Sequence, residues 1–193
     1  MPTGPGGLDS NGIWQFGEDD TEALASDLLN LGMGSVSDAF TNLAGVLQVV
    51  STTMKAVFST TSSTYVDITG LTATITPRAT SSKIIVTVSV SYGHSATNSS
   101  HLTIRDGSNN VLIDPTSPGI RAQGFMSVTV DQTAQMPASF TFLHEPSTTS
   151  AFTYKVSGTT AGGTFFINRS DQDANSSNRG RGISTIILME VAG

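Results

Sequence analysis

A chain of 193 residues with 37% hydrophobic residues is long enough for one sizeable domain and an appendage. The absence of cysteine excludes a disulfide framework and any thiolate metal site. A net charge of −6 argues against nucleic acid as a partner, and no apolar run approaches the roughly 20 residues of a membrane span.

The charge is unevenly spread. Residues 1–50 hold seven acidic side chains and no Lys or Arg, whereas residues 51–193 hold eight acidic and nine basic ones. An acidic leading segment suits docking on a protein surface better than on nucleic acid or an anionic membrane. Its start, "MPTGPGGLDSNGIW", lacks the basic and apolar regions of a secretory signal, so assembly in a cytoplasm is expected. Residues 1–34 read as an extended arm, with Ile13, Trp14 and Phe16 as an isolated apolar trio too small for a core. The trio is either a local packing patch or an aromatic anchor for docking.

From Ser35 the period changes. Val36, Phe40, Leu43, Leu47 and Val50 follow the four-three spacing of a coiled-coil seam, which predicts a short helix over 35–50. Ser35 or Ser37 supplies a cap, and Asp38 suits the first turn. With fewer than three heptads and Gly45 inside, the segment is read either as an oligomerisation seam or as one amphipathic helix lying on its own domain.

Beyond Ser51 strands are predicted. In "KIIVTVSVSY" at 83–92, Ile84, Val86, Val88, Val90 and Tyr92 share one face, opposite mostly Thr and Ser. Similar alternation marks 101–106, 125–131, 139–145, 151–156 and 164–169, with shorter candidates at 54–58, 65–68, 71–75 and 111–113. "DGSNN", "DPTSPG" and "TAGG" supply turns between them. The expected fold is therefore all-β, an antiparallel β-sandwich or jelly roll over 51–193, preceded by the arm and the short helix. The closing strand, 183–191, is apolar on both faces: Ile183, Ile187, Met189 and Val191 on one, Ile186 and Leu188 on the other. One face fills a core, and the other calls for a second partner. Glu190 is expected to need Arg179, Arg181 or solvent, because an unpaired buried carboxylate is costly.

Catalytic chemistry finds little footing. His94, His101 and His144 form no metal-ligand motif, and no nucleophile elbow or phosphate loop is present, so no enzyme is expected. "DQDANSSN" places Asp171, Asp173 and Asn175 at the first, third and fifth positions of a calcium loop. It has Ser176 where glycine is needed and Gly182 where a bidentate Glu is needed. It fails as an EF-hand and is read as a hydrogen-bonded polar loop or a surface site completed from elsewhere; neither metal nor cofactor is expected. The loops at 93–100, 114–124 and 170–181 are rich in Asn, Ser, Asp, Gly and Arg, which suits either recognition or plain solvation.

A family resemblance sharpens this reading. "VLQVVSTTMKAVFSTTSSTYVDITGLTATITPRATSSKIIVTVSVSYG", "SFTFLHEPSTTSAFTYKV" and "FINRSDQDANSSNRGRGISTIILMEVAG", together with the chain between them, resemble a domain of tailed-bacteriophage virion proteins over roughly three-quarters of the chain. The leading "GIWQFGEDD…ASDLLNLGMGSVSDAF" resembles the start of short phage minor tail proteins. The resemblance implies a homotrimeric jelly-roll knob on a virion assembled in a bacterial cytoplasm. Its arm would dock on tail or capsid proteins, and its loops would be available to a host glycan or protein. The trimer interface expected from it comprises Val36, Phe40, Leu43, Leu47, Val50, Ile186 and Leu188. Two roles fit: a tail-associated fibre or knob for attachment, or a trimeric capsid decoration protein that cements the head.

Overall fold

The computed structural model describes residues 7–8, 14–15, 45–113, 121–129 and 134–193. The chain divides into two compact units, Met1–Gly45 and Val46–Gly193. In the first, β1 (Gly7–Leu8) pairs antiparallel with β2 (Trp14–Gln15), which sets Leu8 opposite Trp14. Ile13, Phe16, Val36, Phe40 and Leu43 lie outside the described residues.

Among the described residues the second unit holds ten strands: β3 (Gln48–Met54), β4 (Phe58–Thr60), β5 (Val66–Ile75), β6 (Lys83–His94), β7 (Ser99–Asp106), β8 (Met126–Thr129), β9 (Gln135–His144), β10 (Phe152–Thr160), β11 (Phe165–Ile167) and β12 (Ser184–Val191). All pairings are antiparallel, and no helix occurs among the described residues. The smaller sheet runs β5-β10-β7-β8. The larger is built around β6, whose one edge pairs with β9 from Ile84 to Gly93. Its other edge is shared end to end: β12 pairs with Lys83–Ser89 and β11 with Tyr92–His94. β3 and β4 pair with β12 and β11 in turn, so the sheet has four tracks, two of them made from two strands each.

Period-two patterning accounts for these elements. In β6, Ile84, Val86, Val88 and Val90 are buried, and their branched side chains suit a pleated, packed surface. They join Ile68, Leu71 and Ile75 of β5, Leu102 and Ile104 of β7, Tyr154 and Val156 of β10, Phe165 and Ile167 of β11, and Ile186 and Leu188 of β12. Both sheets thus contribute to one hydrophobic core. The two short strands predicted at 65–68 and 71–75 are one strand, β5, carried through by Gly70 at φ 95°. A bulge there sets Ile68–Leu71 against the single residue Val156. The candidate at 111–113 is reduced to one bridge between Arg105 and Val111.

The helix predicted over 35–50 does not reach its expected end. Gln48–Val50 open β3, with Val50 opposite Leu188, and the Leu47 N–H donates to the Glu190 carbonyl at 2.7 Å. Fewer than three heptads make a marginal helix, whereas pairing with β12 satisfies the same backbone groups and sets Val50 against the core. The boundary of the β unit accordingly moves from 51 to 46.

Candidate functional site

β12 lies between β3 and β6, and its side chains alternate strictly. Ser184, Ile186, Leu188 and Glu190 are buried; Thr185, Ile187, Met189 and Val191 are half-buried on the opposite face. This corrects the expected interface. Ile186 and Leu188 are wholly enclosed in the chain's own core, which leaves nothing of either side chain for a neighbouring copy to touch. Leu47 and Val50 likewise belong to the start of the β unit, not to a helical seam. The face of β12 that stays at the surface is that of Ile187, Met189 and Val191.

Glu190 is buried without either arginine proposed for it. Its carboxylate accepts from the Arg78 backbone N–H at 2.6 Å and from Gln48 Nε2 at 2.5 Å, and Ser82 bonds it as well. Burial pushes its pKa up, but these bonds and the Arg78 charge outweigh that and hold it below the usual carboxylate value. Gln48 and Arg78 thereby anchor the end of β12.

The outward face of the larger sheet is graded. Val49, Met189, Ile85 and Leu143 stand in register across β3, β12, β6 and β9, forming an apolar row that spans the sheet. The two outer members are 58% and 52% exposed. The next row is Ser51, Ile187, Thr87 and Thr141, with the last two hydroxyls 3.1 Å apart. Beyond it come Thr53, Thr185, Ser89 and Ser139, all hydroxylated. On the apolar row's other side, Val191 faces Lys83, which pairs with Glu145 at 3.1 Å. Two of these residues left a trace in the sequence: Ile85 directly precedes an outward run of Thr87, Ser89 and Ser91, and Leu143 follows Ser139 and Thr141 on its face.

The loop from β11 to β12 is an internally bonded structure. Asp173 receives both Arg181 Nε, at 3.0 Å, and Arg181 Nη2, at 2.6 Å, with Arg169 at 3.7 Å. The Arg181 hydrogen bonds hold its carboxyl below the usual range. Arg179 donates to Gln172, and Arg169 lies 4.2 Å from the Phe166 ring centroid. A cation at the calcium-like spacing would therefore compete with a bidentate guanidinium for Asp173. Among the described residues no group of three or more His, Asp or Glu is arranged to hold a metal. The histidines are also apart in role. His94 is buried against Thr160 at 2.8 Å, and His144 meets the Tyr154 hydroxyl at 2.8 Å inside an aromatic row with Phe142 and Phe152.

No family model matches the chain, and no curated protein matches it. Among solved structures it is similar to a chain in the structure of infectious bursal disease virus, Gx strain, at 14% identity and a TM-score of 0.36. The similarity covers 75% of this chain and 37% of that one, so this chain spans well under half of that neighbour's length.

Proposed function

We propose that this chain is a non-catalytic structural protein of a bacteriophage virion. In this reading residues 46–193 form a β-sandwich knob, three copies assemble into a tail-associated fibre head that contributes to host attachment, and the acidic leading segment docks on the tail. The observation that carries the reading is the apolar row of Val49, Ile85, Leu143 and Met189 on the outward face of the larger sheet. A solvated sheet face ordinarily alternates to polar residues throughout, as the far end of this one does. Fully burying one medium or large apolar side chain is worth about 1.5–3 kcal/mol. A handful per subunit, repeated by symmetry, suffices for a trimer. The resemblance of the β unit and the leader to phage virion proteins supports the same reading.

Two measurements test it. Sedimentation velocity of the purified chain is expected to give a trimer, and a folded monomer at micromolar concentration would overturn the assembly. Cryo-EM of virions that carry the protein is expected to show threefold density at the tail. The same density on the head would replace attachment by capsid decoration, and its absence from particles would end the virion reading.

A further inference from the structure

The outward face of the smaller sheet carries a concavity of about 290 Å³, lined by Ser63, Tyr65, His101, Ala122, Thr159 and Thr160 among others. His101 of β7 and Thr159 of β10 are directly opposed across the strand pair and share its floor. Its hydrogen-bonding character follows from where the protons already go. The Tyr65 hydroxyl donates to the Gln123 carbonyl at 2.5 Å, and the Thr159 hydroxyl donates to the Ser62 carbonyl at 3.0 Å. Both oxygens therefore present lone pairs only. Thr160 is saturated. The Ala96 N–H donates to His94 Nδ1 at 3.0 Å, which puts the His94 proton on Nε2, aimed at the Thr160 oxygen 2.8 Å away; that hydroxyl donates in turn to the Gly162 carbonyl at 2.7 Å.

We infer that this concavity binds one neutral, polyhydroxylated ring, a single sugar residue, whose hydroxyls donate to the Tyr65 and Thr159 oxygens beside the His101 ring. Donors are what the lining asks for. Carboxylates and phosphates offer acceptors only and would face like-natured lone pairs. Ammonium groups would meet the field of Arg105, whose charge is felt at Tyr65. Among the described residues no Asp, Glu, Lys or Arg lines the concavity. Burial also pushes the His101 pKa down, which favours its neutral imidazole. The Tyr65 ring and the Ala122 methyl supply the apolar surface that a sugar's C–H face needs, and the volume sits near the lower end of small-ligand sites, about 300–1,000 Å³. This site bears on the attachment reading but is tested without a particle, so its failure would leave the virion assignment intact.

The experiment uses the full chain and a panel of methyl glycosides of glucose, galactose, mannose, rhamnose and N-acetylglucosamine, followed by NMR of His and Tyr side-chain resonances. Inorganic phosphate and N-acetylneuraminic acid serve as anionic controls. At least one neutral glycoside is expected to shift His101 and Tyr65 together with a millimolar dissociation constant. Thr159→Val and Tyr65→Phe should each weaken it by roughly threefold or more, with near-ultraviolet circular dichroism showing that the fold is retained. Thr159→Ser, which keeps the hydroxyl, should retain binding. A panel with no binder, tighter binding of phosphate or N-acetylneuraminic acid, or affinity unaffected by Tyr65→Phe and Thr159→Val would each overturn the inference.

Discussion

Ser184 Oγ donates a 2.6 Å hydrogen bond to Asn168 Oδ1, and this buried contact joins the end of β11 to the start of β12. Asn168 stands in the left-handed region at φ 66°. Its Nδ2 donates to the Met54 carbonyl at 2.9 Å and the Ala56 carbonyl at 2.8 Å, and its backbone N–H donates to the Ser91 carbonyl at 2.7 Å. One side chain thus ties β12 to the break between β3 and β4, while its backbone holds β6. Asn168→Ala should destabilise the β unit by about 2–4 kcal/mol, because it strands buried partners and puts a Cβ-bearing residue without a compensating amide at positive φ. Asn168→Gly should recover about 1 kcal/mol of that loss by relieving the backbone alone. Denaturant titration of the three proteins checks both numbers, and a loss under about 0.5 kcal/mol for the alanine variant would refute the strut.

The two faces of β12 should respond oppositely to charge. Leu188→Asp buries a carboxylate in the core and should abolish folding, read as lost near-ultraviolet circular dichroism. Met189→Asp should leave the spectrum intact while shifting sedimentation from trimer to monomer. Retained trimer in the Met189→Asp protein, with a normal spectrum, would place the interface elsewhere.

Acid should act through two carboxylates. The folded-state pKa of Glu190 lies below its ordinary value of 4.5, so the stability it contributes is fully present above that value and is lost as pH falls through the folded pKa. Asp67, bonded by Lys155, Ser157 and Arg105 against the opposing effect of burial, is held at about 2, and its contribution disappears between 3.8 and that value. Melting temperature should therefore fall as pH is lowered below about 4.5. Glu190→Gln and Asp67→Asn should each lower stability at pH 7 and flatten that fall. An unchanged acid profile in the Glu190→Gln protein would contradict the assignment.

Removal of residues 1–45 should leave Val46–Gly193 folded, because the β unit is compact by itself and its core is built from its own strands. The expected result is a cooperative melt within a few degrees of the full chain, together with failure to join the virion. Normal incorporation of the truncated protein would show that the leader is not the anchor.

Strands with clean alternation were legible in the sequence. β6, β7, β9, β10 and β12 fall within a few residues of their predicted positions, because burial on one face imposes a period of two. β3 was hidden, since Leu47 and Val50 also satisfy a heptad, and only pairing with β12, remote in the chain, decides between the two periods. For β12 the sequence revealed two apolar faces but not which of them turns inward. That choice rests on register: Ser184 meets Asn168 and Glu190 meets Gln48, so the face of Ile186 and Leu188 is fixed by its polar neighbours. The concavity over His101 and Thr159 had no linear signature, because its lining comes from four separate stretches of chain.

The shared edge of β6 also sets an order of events during synthesis. Of the strands described β12 comes last in the chain, yet it lies between β3 and β6 and supplies Ile186 and Leu188 to the core. While residues up to about 180 are emerging, β3 has no partner in its own sheet, and the edge of β6 from Lys83 to Ser89 stands bare. The nascent chain therefore holds an unpaired edge and an open core until residue 191 has left the ribosome. In that interval copies made on neighbouring ribosomes are most exposed to mispairing. The insertion that finishes the core is the same one that presents Ile187 and Met189 on the outside, so the apolar row across the larger sheet is complete only when the chain's own folding is complete.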